Sequence, residues 1–266
     1  WRILPALAGT WSYVWLTGAS PSAVRAGIMI SCLGLARCLF RQPHLFPALA
    51  LSAWIVLLVD PAQLFQLGFQ LSYGVVAAIL LVGLPLAGHL RSVLFRPDWH
   101  RQPRPRWRHA TEKGAGWALD LACVSISAAI GSMPLIVQHF HLFTPGGTLV
   151  GILLNPLASL VVMAGCLAML SGLLQLSVPA GWIAMAAWPA IRLMEWLLGL
   201  CLRVPGAVSE RSWAWPHTGA CLLGLSLGIA WMLQRLRQRG FVLPAAAYVL
   251  PHLIVLAGLA LTTVHT

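Results

Sequence analysis

The run GTLVGILLNPLASLVVMAGCLAMLSGLLQ, residues 147–175, decides the fold. It carries no charged side chain over its whole length, and about 20 apolar residues suffice for a helix to cross a bilayer. Barrel strands are about half that length and alternate in polarity, so the run reads as a membrane helix. Working outward, comparable apolar segments lie near 1–16, 22–40, 45–59, 67–88, 115–137, 181–202, 217–234 and 241–261, nine in all with the first. The expected fold is all-α, a polytopic transmembrane helical bundle of about nine spans.

Composition agrees. Of 266 residues, 59% are hydrophobic and 9% charged, with a mean hydropathy of +0.82. Soluble domains carry roughly a quarter charged residues, so a water-facing surface cannot be covered. A soluble enzyme, a disordered tail and a disulfide scaffold are excluded. The six cysteines sit in or beside apolar runs without CxxC or metal-ligand spacing and read as small packing residues. The chain opens at Trp1 with no initiator Met and no signal-peptide layout, so it is expected to be a portion of a longer protein.

The 17 basic and 6 acidic residues leave a net charge of +11. Strict alternation of sides puts Arg2, Arg37, Arg41, Arg235, Arg237 and Arg239 together with Arg91, Arg96, Arg101, Arg104, Arg106, Arg108 and Lys113. The other side receives Arg203 and Arg211. Positive residues gather on the cytoplasmic side of membrane proteins, so residues 89–114 are read as a basic cytoplasmic loop kept irregular by Pro97, Pro103 and Pro105.

Within this frame, a few polar residues stand out. In Thr17-Gly18-Ala19-Ser20-Pro21-Ser22-Ala23-Val24-Arg25, Ser20 suits a helix N-cap and Pro21 the first helical position. The free amides, the dipole end and Arg25 one turn in would together make an anion site. The alternative is an arginine that snorkels to the outer interface. Asp60, Gln70 and Ser72 fall on the same outer side, where Asp60 is expected to pair with Arg25; an ordinary wet loop is the alternative. Asn155-Pro156 interrupts the long run, and two readings stand: a proline kink repaired by neighbours, or a broken or re-entrant helix lining a path, which the extra length favours. Arg192 and Glu195, three apart, are expected to pair on one helix face turned to the bundle interior. No catalytic constellation, nucleotide fingerprint, cofactor site or metal set is expected, and His139-Phe140-His141 is a poor metal proposal.

Read together, Leu4-Pro5-Ala6, then Thr17 to Met29 with its G-x-S-P-S-x-x-R-A-x-x-M pattern, then Ala48-Leu49-Ala50, Asp60-Pro61 and Gly68-Phe69-Gln70-Leu71-Ser72-Tyr73, resemble the competence domain of the ComEC family. Ser132-Met133-Pro134 and Asn155-Pro156-Leu157 extend the resemblance more loosely over the rest of residues 1–266. The resemblance implies a multi-pass protein of the bacterial cytoplasmic (inner) membrane. It further implies a channel that carries single-stranded DNA into the cytoplasm during natural transformation. Its OB-like and metallo-β-lactamase-like neighbours lie outside this chain. Ser22, Arg25, Asp60, Gln70, Ser72 and Asn155 would line the DNA path. The basic loop would meet emerging DNA, anionic lipid or a cytoplasmic motor, and a DNA receptor and single-strand-binding proteins are further implied partners. Two rivals share these residues: a secondary transporter for a small anionic solute, and a membrane scaffold for uptake machinery.

Overall fold

The computed structural model describes residues 3–38, 45–94, 106–173, 175, 177–203, 209–210, 212–213, 217–239 and 245–264. These form α1 (Ile3–Leu16), α2 (Pro21–Cys38), α3 (Leu45–Val59), α4 (Leu67–Ala78), α5 (Leu84–Leu94), α6 (Arg106–Phe140), α7 (Pro145–Leu173), α8 (Ser177–Leu202), α9 (Thr218–Gln238) and α10 (Ala245–Thr262). A π-helical turn at Ile79–Gly83 fuses α4 and α5 into one rod, so the described helices make nine rods. They fall where the apolar segments of the sequence lie. Five, including the α4–α5 rod, are long and apolar enough to cross a membrane; α1, α3 and part of α10 are shorter apolar helices. The protein is an all-α helical membrane protein.

The fifth rod, α6, is the hub. It packs against α4, α5, α7, α9 and α10 and buries Cys123, Ile130, Met133, Leu135 and Val137. Small residues permit the close approaches that membrane helices use in place of a hydrophobic driving force. A Cβ at Gly131 would stand 2.7 Å from that of Ala78, and one at Gly83 would stand 3.1 Å from Ser127. The Ser127 hydroxyl meets His252 Nε2 at 3.1 Å, a buried polar link from α6 to α10. At one end of the bundle, two short ladders, Leu142–Phe143 with Ser209–Glu210 and Ser212–Trp213 with Thr263–Val264, tie the connections together. There the Trp213 indole donates to the Pro134 carbonyl at 3.0 Å.

Contacts fix the helix directions. Gly34 of α2 faces Ile3 and Leu7, while Gly27 faces Trp11 and Val14, so α1 and α2 are antiparallel. Arg25 reaches Gly68 and Ser72, so α2 and α4 run parallel. Gly74 faces Leu223, and further along Leu81 and Val82 pack with Ala230, so α9 runs parallel to the α4–α5 rod as well. Arg91 bonds Asp120, and with Gly83 on Ser127 this sets α6 antiparallel to the α4–α5 rod. The last turns of α2, α5 and α9 and the first turns of α6 therefore share one end. That end gathers Arg37, Arg91, Arg106, Arg108, Lys113, Arg235, Arg237 and Arg239.

Three expectations need correction. The helix at 145–173 is continuous through Pro156 rather than broken. Its Asn155 is held by a neighbour, since Nδ2 donates to Ser125 Oγ of α6 at 2.7 Å, and the Ser159 hydroxyl takes the Asn155 carbonyl at 2.9 Å. Second, the basic loop at 89–114 is largely helical at its margins: Arg91 lies in α5, and Arg106, Arg108 and Lys113 lie in α6. With 35 residues, α6 is about 52 Å long at about 1.5 Å per residue, well beyond the hydrocarbon core, and its excess length lies at this basic end. Arg96, Arg101 and Arg104 fall outside the described residues. Third, Arg192 and Glu195 do pair, at 3.2 Å, but both side chains are about three-fifths exposed on the outer face of α8. Helix α8 packs on α7, and the apolar stretch of α7 buries nothing inside the protein. That hairpin presents its side chains outward, and Arg192 lies over the Trp188 ring at 5.1 Å.

Candidate functional site

The site begins at a turn. Gly18 and Ala19 both take positive φ, 72° and 50°, a left-handed pair that reverses the chain between α1 and α2 and that Gly18 adopts without steric cost. Pro21 then opens α2, where its fixed φ fits the first helical position and its missing N–H costs nothing. Ser22 is exposed in the first turn, its hydroxyl 3.5 Å from that of Ser20. Arg25, one turn further on, is only 4% exposed.

The second half of the site is the start of α4. Asp60 caps the 3-10 turn Pro61–Phe65, its carboxylate accepting from the Ala62 amide at 3.1 Å. It therefore does not pair with Arg25, contrary to expectation: the short Asx-type contact inside its own turn is available without crossing to another helix. Gln70 folds back over this turn, Nε2 donating to the Leu64 carbonyl at 3.0 Å. Arg25 Nη2 instead donates to the Gly68 carbonyl at 3.1 Å and to the Ser72 hydroxyl at 3.2 Å. Gly68 and Ser72 are one helical turn apart and share a face, so the guanidinium lies along the first turn of α4. The structure thus joins Arg25 to Ser72, sets Gln70 against the 3-10 turn that Asp60 caps, and leaves Ser22 exposed in the first turn of α2. Asn155 is elsewhere, on the α6–α7 contact.

Electrostatically, the site is unbalanced. Two parallel helices begin side by side, each presenting the positive end of its dipole, and a buried guanidinium stands between them. Among the described residues, no carboxylate pairs with Arg25. Among the described residues its Nε is buried without a hydrogen-bond partner, as are Gln63 Oε1 and Gln70 Oε1. A buried charge without a counter-ion is costly. The arrangement suits an anion that also carries hydrogen-bonding groups.

Several contributors escaped the sequence reading. Gly68 acts through its carbonyl and through the space its missing Cβ leaves, since a Cβ there would stand 3.2 Å from Arg25 Nη2. Asp120, which bonds Arg91 at 2.6 Å, is an acidic residue inside an apolar segment, and such residues are generally paired; that signal was available. The contacts of Ser125 and Ser127 had no comparable signal.

Fold and site together define a helical membrane protein with a buried arginine, paired with no described carboxylate, near one end and a strongly basic opposite end. Residues 1–238 match the family model described as Competence protein, and the chain belongs to that family. It is 32% identical over 169 residues to ComE operon protein 3 of Bacillus subtilis (strain 168), a match covering 63% of this chain and 18% of that relative. No solved structure matches the chain. Family membership ties the chain to competence.

Proposed function

We propose that this chain is the multi-pass inner-membrane part of a channel that passes single-stranded DNA into the cytoplasm, and that it conducts rather than catalyses. The observation that carries the reading is Arg25, a buried cation that no described carboxylate pairs with, where the starts of α2 and α4 converge. Phosphates of the strand would approach Ser22 on the exposed turn and exchange onto Arg25 from its two neutral acceptors. Neutral acceptors leave the charge free to engage phosphate, and they compete with it, so each contact stays weak. A polyanion with one charge per nucleotide moves only where no single site holds it tightly. Gln70 and Ser72 supply neutral hydrogen bonds along the way, with Asp60 shaping the turn above them.

At the opposite end the basic residues, which the positive-inside rule assigns to the cytoplasm, would receive the emerging strand. Arg106, Arg108 and Lys113 on the projecting turns of α6 are the natural contact for it or for a motor. A DNA receptor outside and single-strand-binding proteins inside complete the path. The rival small-anion transporter would use the same Arg25 site, and the continuity of α7 removes the broken helix on which both readings drew.

The test follows fluorescent DNA in cells lacking the whole gene and in the same cells complemented with it. DNA is expected to remain outside the inner membrane in the deletion and to enter on complementation. Arg25→Ala is expected to lower transformation by at least about tenfold, the loss of one charge-assisted contact. Unchanged entry in the deletion would overturn the reading. Wild-type transformation by both Arg25→Ala and Gln70→Ala, at normal protein levels, would remove the proposed outer path.

A further inference from the structure

A cleft of about 700 Å³ opens at the basic end of the bundle, between the start of α3, the α4–α5 rod and the last turns of α9. Its inner wall is apolar, built from Phe46, which packs on the buried Leu81–Val82–Ala230 cluster, and from Leu84 of α5. Its outer rim is polar: Gln234, Arg235 and Gln238 lie along the end of α9. The Arg235 guanidinium is stacked over the Trp231 ring at 4.7 Å, which fixes its position. Among the described residues, no carboxylate pairs with it, so its positive charge is uncompensated.

We propose that this cleft binds one anionic phospholipid from the leaflet at the basic end. Charge and shape are both complementary to such a molecule. Arg235, with the Gln234 and Gln238 amides beside it, matches a phosphodiester and its headgroup hydroxyls, and the Phe46–Leu84 wall matches an acyl chain running toward the membrane centre. The depth gradient, polar at the helix end and apolar inward, is that of a lipid and not of a nucleotide, whose base and phosphate are both polar-edged. Cationic pockets between helices on the cytoplasmic side are a recurrent form of lipid headgroup site, and Trp231 lies two turns from the basic end of α9, where an indole would favour the interface. The site is remote from Arg25 and does not depend on what passes through the protein.

The experiment is native mass spectrometry of the purified full-length protein in detergent, titrated with phosphatidylglycerol, with phosphatidylcholine and with an oligodeoxythymidylate. One phosphatidylglycerol is expected to bind about tenfold more tightly than phosphatidylcholine. Arg235→Ala is expected to abolish that preference. Leu84→Trp, which fills the cleft and keeps the charge, is expected to weaken both lipids about tenfold. A circular-dichroism melt matching the parent shows that each variant is folded; if one is not, the other carries the test. Equal binding of the two lipids, or wild-type binding by the folded variants, overturns the proposal. Displacement of phosphatidylglycerol by the oligonucleotide, lost in Arg235→Ala, overturns it in favour of a nucleic-acid site.

Discussion

At the residue scale, the arrangement around Arg25 rests on Gly68. Its carbonyl accepts one of the two Arg25 hydrogen bonds, and its missing side chain leaves room for the guanidinium. Alanine fits a helix better than glycine by about 1 kcal/mol, so Gly68→Ala should not harm α4 itself. It should push the Arg25 guanidinium a few tenths of an ångström off its two acceptors, because 3.2 Å from a new Cβ to Nη2 is tighter than an ordinary contact. The expected result is normal protein abundance with transformation lowered by about tenfold, the equivalent of about 1.4 kcal/mol. Ser72→Ala removes the other acceptor without crowding and should have a smaller effect. If Gly68→Ala transforms as well as the parent, the position of Arg25 is irrelevant to uptake. Sequence reasoning placed Arg25 and Ser72 on one side of the protein, where they meet, because helix starts and serine–proline caps are local signals. It misassigned Asp60 because two contacts competed for one carboxylate, and the winner lay two residues away in the chain.

At the element scale, the proline deep in α7 does not act as a break. Pro156 removes one hydrogen bond from α7, yet the helix continues, with Asn155 bonded across to Ser125. Pro156→Ala should therefore leave transformation within about twofold and raise the melting temperature in detergent, since proline costs a helix interior about 3 kcal/mol relative to alanine. A large fall in transformation would show that the local distortion is used. The contact between α6 and α10 offers a second test. Ser127 is fully buried and its hydroxyl meets His252 beside the π turn at Gly83. Ser127→Ala leaves the imidazole nitrogen unpaired, and a loss of about 1 kcal/mol is expected. Combined with His252→Ala, the effect should be less than additive, because both changes remove the same bond; full additivity in thermal melts would show that the two groups do not interact. These cross-helix bonds were illegible in the sequence for a definite reason. Helix existence follows from apolar length, but which serine faces which histidine 125 residues away depends on the rotation of both helices, and low amphipathicity leaves that rotation unmarked in a membrane protein.

At the scale of the whole molecule, charge and direction are linked. Parallel packing of α2, α4 and α9, with α6 antiparallel to them, brings nearly all the described cations to one end and Ser22 and Arg25 to the other. The same asymmetry was visible in the sequence as alternation of basic connections, because charge placement depends only on the number of crossings and not on how helices pack. Whole-molecule orientation was therefore more legible than any contact within it. The consequence can be measured with thiols already present. Cys38 is exposed at the last residue of α2, at the basic end, whereas Ser22 is exposed in the first turn of the same helix. The 16 residues between them rise about 24 Å at about 1.5 Å per residue, close to the thickness of a hydrocarbon core. In a variant whose other cysteines are replaced, Cys38 should react with a membrane-impermeant maleimide in inverted vesicles and not in intact cells with a permeabilised outer envelope. A Ser22→Cys variant lacking Cys38 should show the reverse. Labelling of both positions from one side would mean that α2 does not cross the membrane. Arg25 would then sit in an interfacial hairpin, and a DNA path entering at α2 would have no membrane to cross there.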